Sequence, residues 1–258
     1  MHKLDRLMPR APKARLVLSL SVKLAVFAGA AFATRALWPA VGITDKAYGA
    51  LVGKVVDWAV LFPLLLVMFW RDIRLLGRAL GAPTGVPRSL AAVTLAFVLT
   101  TSATGVIMMV LPRAPSAGNP KLQRFIRKNV MEPIVQTGNV GAAPVMAGAM
   151  VCIGSPVIEE LLIRGALFLL LLRIVGKWPA VLVSSLIFAA LHQIGMDAIN
   201  WPMSCVHTMH GLVLCLVLLY THRLRWCVLL HSLWNSSLFV VMVFMSKFLH
   251  QIWPWHNL

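Results

Sequence analysis

The stretch Gly154 to Gly165, GSPVIEELLIRG, sets two adjacent glutamates and an arginine inside an apolar run that extends from Val140 to Val175. A charge at mid-bilayer costs roughly 2.5 to 3.5 kcal/mol on insertion scales, so three together must pair or line a polar cavity. Arg164 stands four residues after Glu160 and therefore shares its helical face, whereas Glu159 points about 100° away around the axis. One arginine neutralises one carboxylate. Glu159 is left available for chemistry.

Composition agrees with a membrane setting. Hydrophobic residues make up 59% of the 258 and charged residues 12%, and several apolar runs approach the length of about 20 residues that a transmembrane helix needs. They run near Leu16 to Trp38, Ala50 to Trp70, Leu90 to Leu111, Val140 to Val175, Ala180 to Ile199, Met203 to Tyr220 and Trp226 to Met245. The expected fold is all-α, a polytopic membrane helix bundle of seven or eight transmembrane helices forming one integral-membrane domain over residues 1–258. The run from Val140 to Val175 would be about 54 Å long as one straight helix, against a hydrocarbon core of about 30 Å. Pro156 is where it should kink or divide.

The formal charge of +16 does not point to nucleic acid. Its Lys and Arg lie mostly between the apolar runs, where they orient helices and meet headgroups of the lipid bilayer. Lys3, Arg6, Arg10, Lys13 and Arg15, then Arg71, Arg74, Arg78 and Arg88, then Arg173 and Lys177, then Arg223 and Arg225 alternate as expected for a cytoplasmic N-terminus and seven spans; the expected location is a bacterial inner (plasma) membrane. Lys121, Arg124, Arg127 and Lys128 dissent; with Leu122, Phe125, Ile126 and Val130 they read as a basic amphipathic helix on the membrane surface. The N-terminus imitates a secretory signal with an AFA sequence at Ala31 to Ala33, but Lys23 interrupts the apolar region and favours an uncleaved first helix. Cys152, Cys205, Cys215 and Cys227 lack C-x-x-C spacing and read as small packing residues. Asp57 has Lys54 on its own face, a neutralised structural pair.

Glu159 needs partners, and two later helices offer them at i,i+4 spacing. FAALH places Phe188 and His192 on one face, so the ring can wedge the imidazole. HSLWN places His231 and Asn235 together, two donors able to converge on an oxyanion. A carboxylate and a histidine that activate water, with neutral donors for the developing charge, describe peptide hydrolysis without a covalent intermediate. His207, His210 and His222 read as interhelical packing or helix-end residues. Two His and a Glu also form a plausible zinc ligand set. The chain has no H-E-x-x-H, however, and Asn235 suits an oxyanion better than a metal, so no cofactor is expected.

In this order EELLIR, FAALH and HSLWN resemble the E-E-x-x-x-R, F-x-x-x-H and H-x-x-x-N motifs of the CAAX protease and bacteriocin-processing family of intramembrane proteases. The resemblance covers a catalytic core of residues 140–241. It implies that Glu159 and His192 activate the water, that Glu160 and Arg164 order the site, and that His231 and Asn235 stabilise the oxyanion. It also implies a membrane-associated peptide or protein substrate, cut at a prenylated C-terminus, a leader peptide or a C-terminal sorting signal. Two rival classes remain. A proton-coupled transporter is opposed by the lack of an evident inverted repeat. A non-catalytic scaffold or immunity protein would keep the fold without turnover.

Overall fold

The computed structural model describes residues 13–37, 58–71, 74, 82–111, 132, 142–194 and 199–252. Asp57 with Lys54, and the basic segment from Lys121 to Val130, lie outside them. Among the described residues every regular element is helical, as a backbone without water for partners requires. Helix α1 is Lys13–Leu37, α2 is Trp58–Arg71 and α3 is Val86–Val110. The long apolar run follows as α4 (Ala142–Ala149), a π-helical segment (Met150–Gly154), α5 (Ser155–Glu160), a second π-helical segment (Leu161–Leu167) and α6 (Phe168–Ile174). Helices α7 (Lys177–Gln193), α8 (Trp201–Thr221) and α9 (Leu224–Ile252) complete the bundle.

The expected division at Pro156 takes a definite form. Its ring removes the N–H that would bond one turn back and crowds the carbonyl there. The turn just before it widens into the first π segment, and the backbone stays helical through both junctions. The run is therefore distorted rather than broken. Gly176, at φ 83°, separates α6 from α7, a left-handed conformation that costs a glycine little. Asn200 caps α8 by accepting from the Met203 N–H at 3.1 Å, with Pro202 in the first turn.

Hydroxyls inside the bundle bond to their own helices. Thr100 donates to the Ala96 carbonyl, Ser185 to Val181 and Thr221 to Val217, each at 2.7 Å. Two cores hold the helices together. In one, Leu20, Phe27, Leu61, Leu65 and Phe69 of α1 and α2 meet Ala166 and Leu170; Lys23 rests with its ammonium 5.8 Å from the Phe69 ring. In the other, α3, α6, α7, α8 and α9 pack through Val93, Phe168, Val181, Leu214, Leu218 and Leu230. Leu95, Val98, Leu99 and Met109 face outward, the lipid side of a membrane helix. Val17–Thr34, Val86–Val110 and Trp201–Thr221 are long and apolar enough to cross a membrane.

The register between α7 and α8 positions the site. A Cβ on Gly211 would lie 2.9 Å from Ser185 Cα, so the two backbones touch there. Seven residues further along α7, His192 meets His207, four residues back along α8. The helices are thus antiparallel. The α8–α9 turn is tied to the approach to α3, where the His222 Nδ1–H donates to the Ala82 carbonyl at 2.6 Å. Arg88, Lys177, Arg223 and Arg225, all exposed, accordingly gather at one end of the bundle.

Candidate active site

The glutamate pair falls between the two π segments, and its members differ in environment. Glu160 closes α5 and its side chain is 0% exposed, as is that of Arg164, which lies one turn on in the second π segment. Arg164 Nη1 donates to Glu160 Oε1 at 2.9 Å and Nη2 to the Gly211 carbonyl at 3.4 Å. The guanidinium carbon stands 4.4 Å from the centre of the Phe188 ring, a cation–π contact in a desolvated place. His231 completes this layer. Its Nδ1–H donates to the same Glu160 oxygen at 2.9 Å, and its side chain is 3% exposed.

Glu159 opens a second, looser layer. Its side chain is 31% exposed, and Oε2 lies 3.7 Å from His192 Nε2 and 3.8 Å from His231 Nε2. His192, 28% exposed, donates from Nδ1 to the Phe188 carbonyl at 2.8 Å, which turns Nε2 toward the glutamate. The Phe188 ring packs 4.5 Å from the imidazole, the wedge expected from FAALH. The same ring lies 5.6 Å from His231, so one buried phenylalanine touches both histidines and the arginine.

His192 and His231 meet although they sit at different heights in their helices. His192 is next to last in α7, which ends at Gln193 and not near Ile199, whereas His231 is the eighth residue of α9. That difference of eight residues corresponds to about 12 Å of axial offset or inclination between α7 and α9. Asn235, one turn beyond His231, donates from Nδ2 to the Val151 carbonyl at 2.9 Å. It ties α9 to the first π segment rather than to the glutamates. Among the described residues no group of three His, Cys, Asp or Glu side chains is spaced to hold a metal ion.

Two histidines set aside in the sequence lie on the wall of this site. The His207 ring stacks on that of His192 with centres 4.1 Å apart and planes 21° from parallel. His210 meets His231 edge to face at 5.1 Å and stacks on Trp234 at 5.0 Å. The available signal was the i,i+4 relation of His207 to Gly211, which puts His207 on the face of α8 that approaches α7. Cys205 is exposed, Cys152 half-buried, and Cys215 and Cys227 buried, all as free thiols.

No curated protein and no solved structure matches this chain. Residues 141–237, which contain all three motifs, match the family described as type II CAAX prenyl endopeptidase Rce1-like. This match over 97 of the 258 residues supports a place in the CAAX protease and bacteriocin-processing family, whose Rce1-like members are membrane-embedded peptidases.

Proposed function

We propose that this peptidase hydrolyses its substrate with a water activated by Glu159 and His192, while Glu160 and Arg164 hold the site and His231 and Asn235 carry the oxyanion. The supporting observation is the placement of Glu159 Oε2 at 3.7 and 3.8 Å from two imidazole Nε2 atoms. These separations exceed a hydrogen bond and suit one water touching all three groups. The water gives a proton to Glu159 as its oxygen attacks the carbonyl carbon, and the C=O electron pair moves onto oxygen. When the intermediate collapses, the C–N bond breaks and Glu159 passes the proton to the leaving amine. One water is consumed and no covalent enzyme intermediate forms.

The oxyanion role sets a condition on His231. With Nδ1–H donated to Glu160, His231 donates through Nε2 only as an imidazolium. The two carboxylates, Glu159 and Glu160, balance that charge together with Arg164. Asn235 has two amide N–H groups, and the bond to Val151 occupies one, which leaves the other for the substrate. A membrane-associated prenylated C-terminal peptide is the substrate class that the matched family's description favours. The basic residues gathered at one end support a plasma-membrane setting with the N-terminus in the cytoplasm.

One observation favours zinc as a second reading. Both histidines donate Nδ1–H to protein acceptors and turn Nε2 toward Glu159, an arrangement shared by metal-ligating histidines. Tetrahedral zinc ligands stand about 3.3 Å apart, so each imidazole would have to close on Glu159 by about 0.4 to 0.5 Å. The test is turnover of a fluorogenic prenylated peptide by the full chain in liposomes after dialysis against a strong chelator. Unchanged turnover is expected. Activity lost to the chelator and recovered with zinc would transfer the site to a metal mechanism, and wild-type protein that never cuts such a peptide would remove the substrate class.

A further inference from the structure

His192 stands where its own helix controls it least. It is the penultimate residue of α7, more than a quarter exposed, and is held within that helix by one hydrogen bond and by the Phe188 ring on one side. A group that must hold a water to within about 0.5 Å needs support from a second element. That support comes from α8. Gly211 lets the backbones touch at Ser185, and side chains on helices lean toward their own N-termini. In an antiparallel pair with this register, His207 therefore leans outward over the end of α7 while His192 leans back toward it. Their rings meet nearly parallel at 4.1 Å, with Phe188 also within 6.2 Å of His207.

We propose that His207 is a positioning residue for the hydrolytic site, which covers one side of the His192 imidazole, roughly at right angles to the Phe188 contact, and so keeps Nε2 facing Glu159. This rests on the reading of His192 as a water-activating residue. The role belongs to the flat ring and not to its nitrogens, so phenylalanine should replace His207 and leucine, of similar bulk but without a ring, should not.

The experiment uses the full chain in liposomes with a fluorogenic prenylated peptide, and compares His207→Phe with His207→Leu. His207→Phe is expected to keep wild-type kcat, whereas His207→Leu should lose about 10-fold to 10²-fold in kcat, the scale of a misplaced catalytic group, with KM unchanged. A second readout does not depend on turnover: the rate at which diethyl pyrocarbonate carbethoxylates His192, followed by mass spectrometry. That rate should rise in His207→Leu and match wild type in His207→Phe. Equal loss of kcat in both variants would assign the role to the His207 nitrogens and overturn the proposal. Wild-type kcat and His192 reactivity in His207→Leu would overturn it as well. If wild-type protein leaves the peptide uncut, the prenylated-substrate reading fails, and the His192 reactivity contrast alone decides whether His207 positions that ring.

Discussion

The inner and outer layers of the site are built from adjacent residues and obey different rules. The inner layer, Glu160 with Arg164 and His231, is sealed and joined by contacts of 2.9 Å. The outer layer, Glu159 with His192, is 31% and 28% exposed with 3.7 Å between the two groups, and Glu159 stands 3.8 Å from His231 of the inner layer. A buried ion pair is worth little net stability against an apolar equivalent, yet breaking it strands a charge. On the proposed mechanism Glu160 and Arg164 would serve as a fixed electrostatic frame, and Glu159 with His192 would meet water and substrate. One helical step of about 100° separates the two roles.

Breaking the outer layer should give the largest effect on turnover. Glu159→Gln preserves size and hydrogen bonding but removes the base, and kcat should fall by about 10² to 10⁴. Its thermal unfolding should match wild type, since Glu159 is partly exposed. A Glu159→Gln protein that cleaves at the wild-type rate would show that the proton goes elsewhere.

The inner layer should respond in stability instead. Glu160→Gln leaves Arg164 uncompensated in the interior and should cost about 3 to 5 kcal/mol, read as a lowered midpoint in denaturant or on heating. Partial rescue is expected from the double variant Glu160→Gln with Arg164→Met, which removes both charges. If Glu160→Gln melts like wild type and is as inactive as Glu159→Gln, the division between frame and chemistry is wrong.

Asn235 tests whether the two layers share the oxyanion. Asn235→Ala should lower kcat by about 10² to 10³ with little change in KM, because its second N–H is needed only as charge develops. Asn235→Asp should be at least as damaging, since it sets an acceptor where a donor is required. Loss of the bond to Val151 appears in both variants, so an unfolding midpoint lowered equally in both, with turnover per folded molecule intact, would assign Asn235 to structure.

Much of this site was legible in the sequence because helical spacing alone fixes faces. The i,i+4 relation of Glu160 to Arg164 became a 2.9 Å ion pair, and that of Phe188 to His192 became a ring contact of 4.5 Å. The three motifs could be placed in order on the fourth, fifth and seventh apolar runs for the same reason. What stayed hidden depends on more than one helix or on backbone detail. Ile194 and Ile199 are themselves apolar, so hydropathy carried the fifth run past the helix end at Gln193. The π segments flanking the glutamates leave no periodic signature, although Pro156 marks one of them. His207 and His210 read as packing residues because their meaning lies in the register of α8 against α7 and α9, which no single-helix pattern carries.

The smallest effect expected here separates packing from layering. Gly211 is the point where the Arg164 guanidinium reaches a carbonyl of α8 and where α8 approaches α7. A Cβ there would stand 2.9 Å from Ser185 Cα and 3.0 Å from Ser185 Cβ, atoms that move only if the helices part. Gly211→Ala should cost about 1 to 3 kcal/mol, the usual range for overpacking. It should also lower turnover, because separation of α7 from α8 moves His192 relative to Glu159 and Gly211 relative to Arg164 together. Gly105→Ala is the matched control on α3, where nothing lies within 4 Å of the added carbon; alanine's better helix propensity should there leave stability equal or slightly raised. If both alanines behave alike, the close approach at Gly211 does not set the α7–α8 register, and the placement of His192 must be held from the Phe188 side alone.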